Sequence, residues 1–311
     1  MKLVVFPKME DAWERRVAEA APSLKIVQCV SEAQAAAALA DAEAFYGKIT
    51  PALLAGAKRL RWIQAPVAGL ERYMFPELAA HPAVLTNMRG VYADMVPEHA
   101  FALVLALARG MHRYAWFQRE RTWQKQEIVI LAGKTMGVVG LGSIGGGIAD
   151  RAVAFGMRVI AVDPKAERHP GVERVLRPDR LHELLAESDI VVIAAPHTPE
   201  TEKMFRRREL QAMKRTAFLV NIGRGVIIDL RDLTDALAAG EIAGAGLDVF
   251  EVEPLPADHA LWGMDNVVIT PHAATETPEL SDRWLGVLAD NAARFARGEP
   301  VQNVVDKQRW Y

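Results

Sequence analysis

The fold of this chain is decided by the stretch Met136-Gly137-Val138-Val139-Gly140-Leu141-Gly142-Ser143-Ile144-Gly145. An apolar run, 136–139, leads directly into a G-x-G-x-x-G turn, and a helical pattern, 148–155, follows the turn. The next apolar run ends at an aspartate, Asp163, about 20 residues further on, as the dinucleotide-binding fingerprint requires. The stretch therefore predicts a strand–turn–helix unit that binds a dinucleotide.

The residues of this turn have separate expected roles. Gly140 permits a tight turn, Gly142 lets the backbone approach a pyrophosphate, and Gly145 lets the helix pack against the strand. The backbone amides of Ser143 and Ile144 lie where the helix begins and would receive the negative charge of the ligand. The turn is thus predicted to hold the phosphates of a dinucleotide.

Asp163 stands at the position that selects between nicotinamide cofactors. Its carboxylate would accept hydrogen bonds from the adenine-side ribose hydroxyls and repel a 2′-phosphate. Lys165 and Arg168, shortly after it, could soften that preference. NAD is therefore the expected cofactor, and NADP stays possible.

Short β-branched runs alternate with amphipathic stretches along nearly the whole chain, which predicts parallel sheets and an α/β fold. The predicted strands form a first series, 3–6, 25–30, 45–46, 61–64 and 84–86, and a second series, 136–139, 158–162, 190–194, 217–220, 243–247 and 267–269. Helical patterns in the first series include 12–20 and 31–40, the latter with Ser31 as its expected N-cap.

Between the two series, the pattern of residues 97–113 predicts one long apolar helix. Pro97 suits its first position because the missing N–H would have no partner there. A helix that is apolar nearly all round is expected to be buried between domains or against a second subunit.

The composition limits the class of protein. With 311 residues, 51% of them hydrophobic, the chain is long enough for about two domains with their own cores. Lys and Arg number 37 against 39 Asp and Glu, and this balance argues against nucleic-acid binding. The single cysteine, Cys29, excludes an intrachain disulfide and a cysteine zinc cage, so no metal site is expected. No apolar run reaches the ~20 residues of a membrane span, which leads us to expect a cytoplasmic protein.

Three successive predicted strands end in ionisable side chains, at the edge where open α/β sheets bind ligands. Arg224 follows the first of these strands, Glu251 and Glu253 follow the second, and His272 follows the third. An arginine, a carboxylate and a histidine so placed could bind an anion and exchange a proton. Spacing alone does not choose between the two glutamates.

Taken together, these motifs resemble the D-isomer-specific 2-hydroxyacid dehydrogenase family, and the resemblance covers essentially the whole chain. Besides the glycine fingerprint, the matching segments are 195–201, 221–225, 244–254 and 270–272, in family order and spacing. Each segment alone is common, whereas their joint occurrence is specific. The resemblance implies an NAD(P)-dependent oxidoreductase, similar to glyoxylate/hydroxypyruvate reductases, that acts reversibly at C2 of a short 2-oxo or 2-hydroxy acid.

The resemblance also implies roles for individual residues. Arg224 corresponds to the substrate-binding arginine, His272 to the catalytic acid and base, and Glu253 to the carboxylate that orients this histidine. Further implied contacts are Val67, Ala68 and Gly69 to the substrate carboxylate, and Pro196, Thr201, Ile222 and Asp248 to the cofactor. Asp248 corresponds to the residue that holds the nicotinamide amide.

The expected architecture follows from the same resemblance. Residues 1–98 and 282–311 would form a flavodoxin-like substrate-binding domain and residues 99–281 a Rossmann-like NAD-binding domain, with the active site in the cleft between them. Family members are similar in being homodimers built largely through the cofactor domain, which would account for the apolar helix at 97–113.

Two other functions stay open from the sequence. A phosphite dehydrogenase-like enzyme would use a similar Arg/Glu/His set, and a non-catalytic NAD-sensing scaffold of the corepressor type would share the fold. Formate dehydrogenase-like enzymes have a glutamine in place of the glutamate, so Glu253 argues against that chemistry. The segment 45–48 lacks the arginine pair with which phosphoglycerate dehydrogenases bind phosphate.

Overall fold

A computed structural model describes residues 1–310 and divides into two compact units. One unit is Met1–Val91 together with residues 277–310, and the other is Tyr92–Glu276. The sequence places these boundaries near residues 98 and 281. The first boundary lies earlier because the helix Met95–Ala108 packs against helices and strands of the second unit.

The first unit is built on a five-stranded parallel sheet with the order β2-β1-β3-β4-β5. Its strands are β1 (Lys2–Phe6), β2 (Lys25–Gln28), β3 (Ala44–Gly47), β4 (Trp62–Gln64) and β5 (Val84–Thr86). Its helices are α1 (Asp11–Ala20), α2 (Glu32–Leu39), α3 (Pro51–Gly56), α4 (Pro76–Ala80) and the C-terminal helix, α11 in chain order (Leu280–Arg297). This strand order is the flavodoxin-like, doubly wound arrangement.

A buried polar cluster joins the two chain segments of the first unit. The Oε1 atom of Gln64 on β4 accepts hydrogen bonds from Thr86 Oγ1 on β5 and from Asn291 Nδ2 on α11, both at 2.9 Å. Asn291 Oδ1 in turn accepts the N–H of Gln302 at 2.7 Å. All three side chains of the cluster are fully buried, so the loss of one partner would leave the others unsatisfied.

The second unit is built on a seven-stranded parallel sheet with the order β12-β11-β10-β9-β6-β7-β8. Its strands are β6 (Thr135–Val139), β7 (Arg158–Val162), β8 (Arg174–Leu176), β9 (Ile190–Ile193), β10 (Phe218–Asn221), β11 (Gly244–Leu247) and β12 (Val267–Ile269). Its helices are α5 (Met95–Ala108), α6 (Met111–Arg119), α7 (Ser143–Ala154), α8 (Leu181–Glu187), α9 (Arg207–Gln211) and α10 (Leu230–Ala238). The strand order is that of a Rossmann fold, whose order reverses between β6 and β9.

The predicted α/β class with two parallel sheets is confirmed. The eleven predicted strands are present within a few residues, and Ser31 caps α2 by accepting the N–H of Gln34 at 3.3 Å. Strand β8 is not predicted from the sequence. It has three residues, and its two apolar positions stand between arginines, so it shows no clear pattern. Among residues 1–310, no helix combines the length and apolar character needed to cross a bilayer.

The prediction of one long helix over 97–113 is wrong in two respects. The helix α5 ends at Ala108, and Gly110, with φ +64°, adopts the left-handed conformation that separates it from α6. Pro97 is the third residue of α5 rather than the first, a position whose N–H would also have no intrahelical partner. The apolar side chains of α5 are covered by α7, β10 and β11 of the same unit, so a second subunit is not needed to explain their burial.

Candidate active site

The residues with predicted chemistry lie along one edge of the second sheet. Because all seven strands are parallel, their carboxyl ends share this edge. The glycine turn follows β6, the 195–201 segment follows β9, and Arg224, Asp248 and His272 follow β10, β11 and β12. Ligands of open α/β sheets bind at this edge, beside the switch point between β6 and β9.

The glycine turn has the shape that the fingerprint predicts. Gly140 has φ +91°, a conformation that other residues rarely adopt, and a Cβ atom on Gly145 would overlap the carbonyl oxygen of Gly140. A Cβ atom on Gly142 would meet nothing within 4 Å, so this side of the turn faces open space. Ser143 is the first residue of α7, and the backbone amides of a helix start can bind an anion.

Asp163 is held rigidly by backbone amides at the end of β7. Its Oδ2 atom accepts the N–H of Leu141 in the glycine turn at 2.7 Å, and its Oδ1 atom accepts those of Lys165 and Ala166 at 2.7 Å each. The carboxylate is therefore fixed directly beside the turn. Each carboxylate oxygen accepts about two hydrogen bonds, so acceptor capacity is left for a ribose hydroxyl.

The other predicted cofactor contacts lie on short, well-supported loops. Thr201 donates its hydroxyl proton to the carbonyl of Pro196 at 2.7 Å and accepts the N–H of Thr198 at 2.8 Å. Thr201 thus shapes the loop that carries Pro196, which is itself exposed. Ile222 is buried just after β10 and belongs to the core under the glycine turn.

The loop after β10 presents Arg224 through a close approach of two backbones. Asn221 donates its amide N–H to the carbonyl of Arg224 at 3.1 Å and accepts the N–H of Gly223 at 3.1 Å. A Cβ atom on Gly225 would overlap the backbone of Phe250, so only glycine fits there. This packing brings the arginine loop against the loop that leads to Glu253.

His272 and Glu253 form a pair, as the sequence resemblance implies. His272 Nδ1 lies 2.9 Å from Glu253 Oε2, so a protonated Nδ1 donates to this carboxylate and Nε2 is left for a ligand. The other oxygen of Glu253 accepts the N–H of Phe250 at 3.0 Å, which fixes the carboxylate. A histidine paired with a carboxylate in this way can exchange a proton with a ligand.

The structure distinguishes the two glutamates between which the spacing could not choose. Glu251 forms an ion pair with Lys203, whose ammonium also lies 3.1 Å from Asp229 Oδ2. Glu251 is therefore committed to a structural ion pair, while Glu253 contacts the histidine.

His272 itself has an unusual backbone conformation. Its φ of +54° lies in the left-handed region, which costs a non-glycine residue about 1 kcal/mol or more. Its N–H donates to the carbonyl of Asp248 at 2.7 Å, and this bond helps to hold the conformation. Strained backbone of this kind clusters at functional sites.

Asp248 is buried at the end of β11, with 1% of its surface exposed. Its Oδ1 atom accepts hydrogen bonds from Thr270 Oγ1 at 2.6 Å and from the N–H of Ala273 at 2.9 Å, and His99 Nε2 lies 3.2 Å away. Burial alone raises the pKa of this carboxyl, but the hydrogen bonds from His99, Thr270 and Ala273 outweigh it and hold the pKa below its usual value. Asp248 is therefore an anion at neutral pH.

In the first unit, residues Val67, Ala68 and Gly69 form a partly exposed loop after β4. The carbonyl of Val67 accepts the N–H of Met88 at 2.9 Å, and that of Ala68 accepts Asn87 Nδ2 at 2.7 Å. Among residues 1–310, the N–H groups of the three residues make no hydrogen bond to the protein. They have the donor capacity that a carboxylate requires.

Sequence reasoning missed His99 and the contact of Thr270 with Asp248. His99 and its neighbour Glu98 are the polar residues of the largely apolar helix α5, and that contrast is the one signal by which the sequence could have indicated His99. Its partners are about 150 to 170 positions away in the chain, so only the fold brings them together.

The strand order and the glycine turn at the switch point define the class of protein as a dinucleotide-binding α/β protein. Comparison with known proteins narrows this class. Residues 101–274 match the family model described as D-isomer specific 2-hydroxyacid dehydrogenase, NAD binding domain. The chain belongs to the D-isomer specific 2-hydroxyacid dehydrogenase family, and it is an NAD(P)-dependent oxidoreductase of 2-hydroxy and 2-oxo acids.

Individual relatives agree with this assignment. A glyoxylate reductase of Korarchaeum cryptofilum is 37% identical over 313 residues, which cover 96% of this chain and 90% of the relative. A solved structure of a probable 2-hydroxyacid dehydrogenase from Rhizobium etli is 28% identical to this chain, with a TM-score of 0.85. It is in complex with NADP, HEPES and L(+)-tartaric acid, and the match covers 100% of this chain and 99% of that chain. A structure of an NADPH-dependent glyoxylate/hydroxypyruvate reductase from Sinorhizobium meliloti is 25% identical to this chain, with a TM-score of 0.84. It is in complex with NADP and sulfate, and the match covers 100% of this chain and 99% of that chain.

Proposed function

We propose that the protein reduces short 2-oxo acids, with glyoxylate and hydroxypyruvate as its preferred substrates and NADH as its preferred reductant. The observation that carries this proposal is the His272–Glu253 pair, placed at the same sheet edge as the glycine turn in a member of this family. The names of the glyoxylate reductases to which the chain is similar support the choice of substrate.

Three side chains of the protein would have separate roles in this reaction. The Arg224 guanidinium binds the substrate carboxylate and polarises the carbonyl oxygen at C2, two tasks that suit its planar set of donors. The His272 imidazolium gives its Nε2 proton to that oxygen during reduction and takes it back during oxidation. Glu253 orients the ring and stabilises its positive charge.

The first unit would supply further contacts to the substrate. The amides of Val67, Ala68 and Gly69 would donate to the substrate carboxylate, because among residues 1–310 they make no hydrogen bond to the protein.

The residues present fit a nicotinamide dinucleotide. Gly142 and the start of α7 would hold the pyrophosphate, Asp163 the ribose, and Asp248 the nicotinamide carboxamide, with Ile144, Pro196, Thr201 and Ile222 around them. When bound, the reduced nicotinamide supplies the hydride for C2, and the protein supplies position and charge.

NADH is the proposed reductant because Asp163 is an anion fixed beside the glycine turn. A 2′-phosphate placed there would face the carboxylate at close range, and repulsion between like charges opposes its binding. NADPH stays a slower alternative, since Lys165 and Arg168 lie next to the site in sequence and since related structures hold NADP.

The test is oxidation of NADH and of NADPH, followed separately, with glyoxylate, hydroxypyruvate, pyruvate and a bulkier 2-oxo acid. We expect turnover with the two smallest polar acids and a higher kcat/KM with NADH than with NADPH. Tight NADH binding without turnover of any acid would favour a cofactor-sensing scaffold, and oxidation of phosphite with NAD would favour the phosphite dehydrogenase alternative.

We also propose that the protein is a cytoplasmic homodimer. The helix α6 has no buried residue, and the segment after it presents Trp123 with 99% and Ile130 with 70% of its surface exposed. Apolar surface on this scale marks an interaction site, and a second copy of the second unit would cover it. The single, buried cysteine suits a reducing compartment.

A further inference from the structure

We propose that His99 and Thr270 are positioning residues that orient Asp248 toward the nicotinamide end of the cofactor, an inference that rests on the proposed function. Neither residue need touch the substrate or the cofactor. Both would act through Asp248, by occupying one of its two carboxylate oxygens and leaving the other for the ligand.

The two oxygens of Asp248 have unequal surroundings. Oδ1 accepts hydrogen bonds from Thr270 Oγ1 at 2.6 Å and from the Ala273 amide at 2.9 Å, and His99 Nε2 lies 3.2 Å from it. Oδ2 has one donor, the Ala274 amide, at 3.3 Å. Because a carboxylate oxygen accepts about two good hydrogen bonds, Oδ1 is saturated and Oδ2 keeps the capacity for one more donor. A carboxamide N–H is such a donor.

His99 sets the direction of this hydrogen-bond chain. Its Nε2 atom lies 2.9 Å from Thr270 Oγ1, and Thr270 Oγ1 lies 2.6 Å from Asp248 Oδ1. A threonine hydroxyl has one proton, so if His99 donates to Thr270, the proton of Thr270 goes to Asp248. The carboxylate is 1% exposed, and a buried anion without these donors would be destabilised or would change its orientation.

The same carboxylate supports the loop of His272. Its Oδ1 atom accepts the amide of Ala273, the residue after His272, and the carbonyl of Asp248 accepts the amide of His272 at 2.7 Å. The left-handed conformation of His272 is thus held by the residue that is proposed to face the nicotinamide. His99 and Thr270 would thus fix the position of the proposed proton donor, His272, relative to the cofactor site.

The test compares two ligands that differ at one end only. NADH carries the nicotinamide and ADP-ribose lacks it, and calorimetric titration gives a Kd for each with no turnover required. We expect His99→Phe and Thr270→Val to raise the Kd of NADH about tenfold, the effect of losing a hydrogen bond to a charged group, and to leave the Kd of ADP-ribose within twofold of the wild type. His99→Gln and Thr270→Ser, which keep a donor, should restore most of the affinity for NADH.

The matched control is His182→Phe, which removes a histidine that pairs with Glu209 away from this cluster and should change neither Kd. Equal weakening of both ligands, or no change for NADH in His99→Phe and Thr270→Val, would overturn the positioning role. Should His99→Phe fail to fold, the Thr270→Val and Thr270→Ser pair gives the same comparison. A wild type that binds NADH tightly but reduces no 2-oxo acid would contradict the proposed function while leaving the positioning test intact.

Discussion

At the scale of single residues, the chemistry of the candidate site depends on side chains that the fold holds with few, short contacts. The His272–Glu253 pair is fixed at both of its ends, through a backbone amide on the carboxylate and through the backbone of Asp248 on the histidine. A proton donor must be placed to within fractions of an ångström to be effective. The hydrogen bonds around this pair supply that precision.

Arg224 gives the first prediction. Arg224→Ala should raise KM and lower kcat, with a loss of about 10- to 100-fold in kcat/KM for glyoxylate, because the guanidinium binds the substrate in both ground and transition states. Arg224→Lys should recover only part of this loss, since an ammonium lacks the planar fork. Steady-state kinetics with NADH measures both variants.

The contrary result for Arg224 is a change confined to thermal stability. Arg224 Nη1 donates to the carbonyl of Gly223 at 2.8 Å, so a purely structural role would lower the melting temperature and leave KM unchanged. Arg208→Ala, on the helix α9 away from this edge, serves as the control for the loss of one surface arginine.

Most of the candidate residues could be predicted from the sequence because short motifs carry them. The glycine turn, Asp163 and His272 all follow directly from strand ends, and strand ends are visible in the apolar pattern. The choice between Glu251 and Glu253 required either the resemblance or the structure, because both stand in the same loop. His99 could not be predicted, since nothing local links it to Asp248.

At the scale of elements, the close packing of two loops determines where the functional groups lie. The loop after β10 contacts the loop after β11 at Gly225, where no side chain can fit against the backbone of Phe250. This contact lies between Arg224 and the segment that leads to Glu253. The relative position of the two side chains therefore depends on one glycine.

Gly225→Ala gives the prediction at this scale. The new methyl group should force the two loops apart, lower the free energy of unfolding by about 1–3 kcal/mol and reduce kcat/KM. Chemical denaturation and the NADH assay measure the two effects. Gly263→Ala is the control, because a Cβ atom there meets nothing within 4 Å. Equal behaviour of the two variants would show that the loop contact is unimportant.

Element boundaries show what a periodic pattern can and cannot predict. The strands are found almost where expected because most of them are short, buried apolar runs. The break between α5 and α6 is missed because the apolar pattern continues across it. The left-handed conformation of Gly110 depends on tertiary structure, which the local pattern does not show. A glycine inside a helical pattern ends a helix in some folds and is tolerated in others.

At the scale of the whole molecule, the chain ends are joined in one unit by buried polar contacts. Asn291 lies more than 200 residues after Gln64 and Thr86 in the sequence, and none of the three stands in a recognisable motif. The sequence alone predicts two α/β halves. The resemblance implies that both chain ends belong to one of them, and in the structure residues 1–91 and 277–310 form one compact unit.

The proposed homodimer gives the prediction at this scale. If α6 and the following segment form the interface, sedimentation equilibrium should give twice the chain mass of 34.2 kDa. Trp123→Asp should raise the dimer Kd about 30-fold or more, as truncation of a central tryptophan does at other interfaces. Val30→Asp, a change to an exposed residue of the first unit, should leave the Kd unchanged. A monomeric wild type would contradict the proposal.

The central claim is that His272 donates the proton when a 2-oxo acid is reduced, and a single-turnover experiment tests it most directly. Enzyme in excess over NADH is mixed with saturating glyoxylate, and the absorbance of NADH is followed for the wild type and His272→Ala. We predict a rate constant 10²- to 10⁴-fold lower for the variant, the usual contribution of positioned acid–base catalysis, with the Kd of NADH within a few-fold of the wild type. A rate constant equal to that of the wild type would contradict the account.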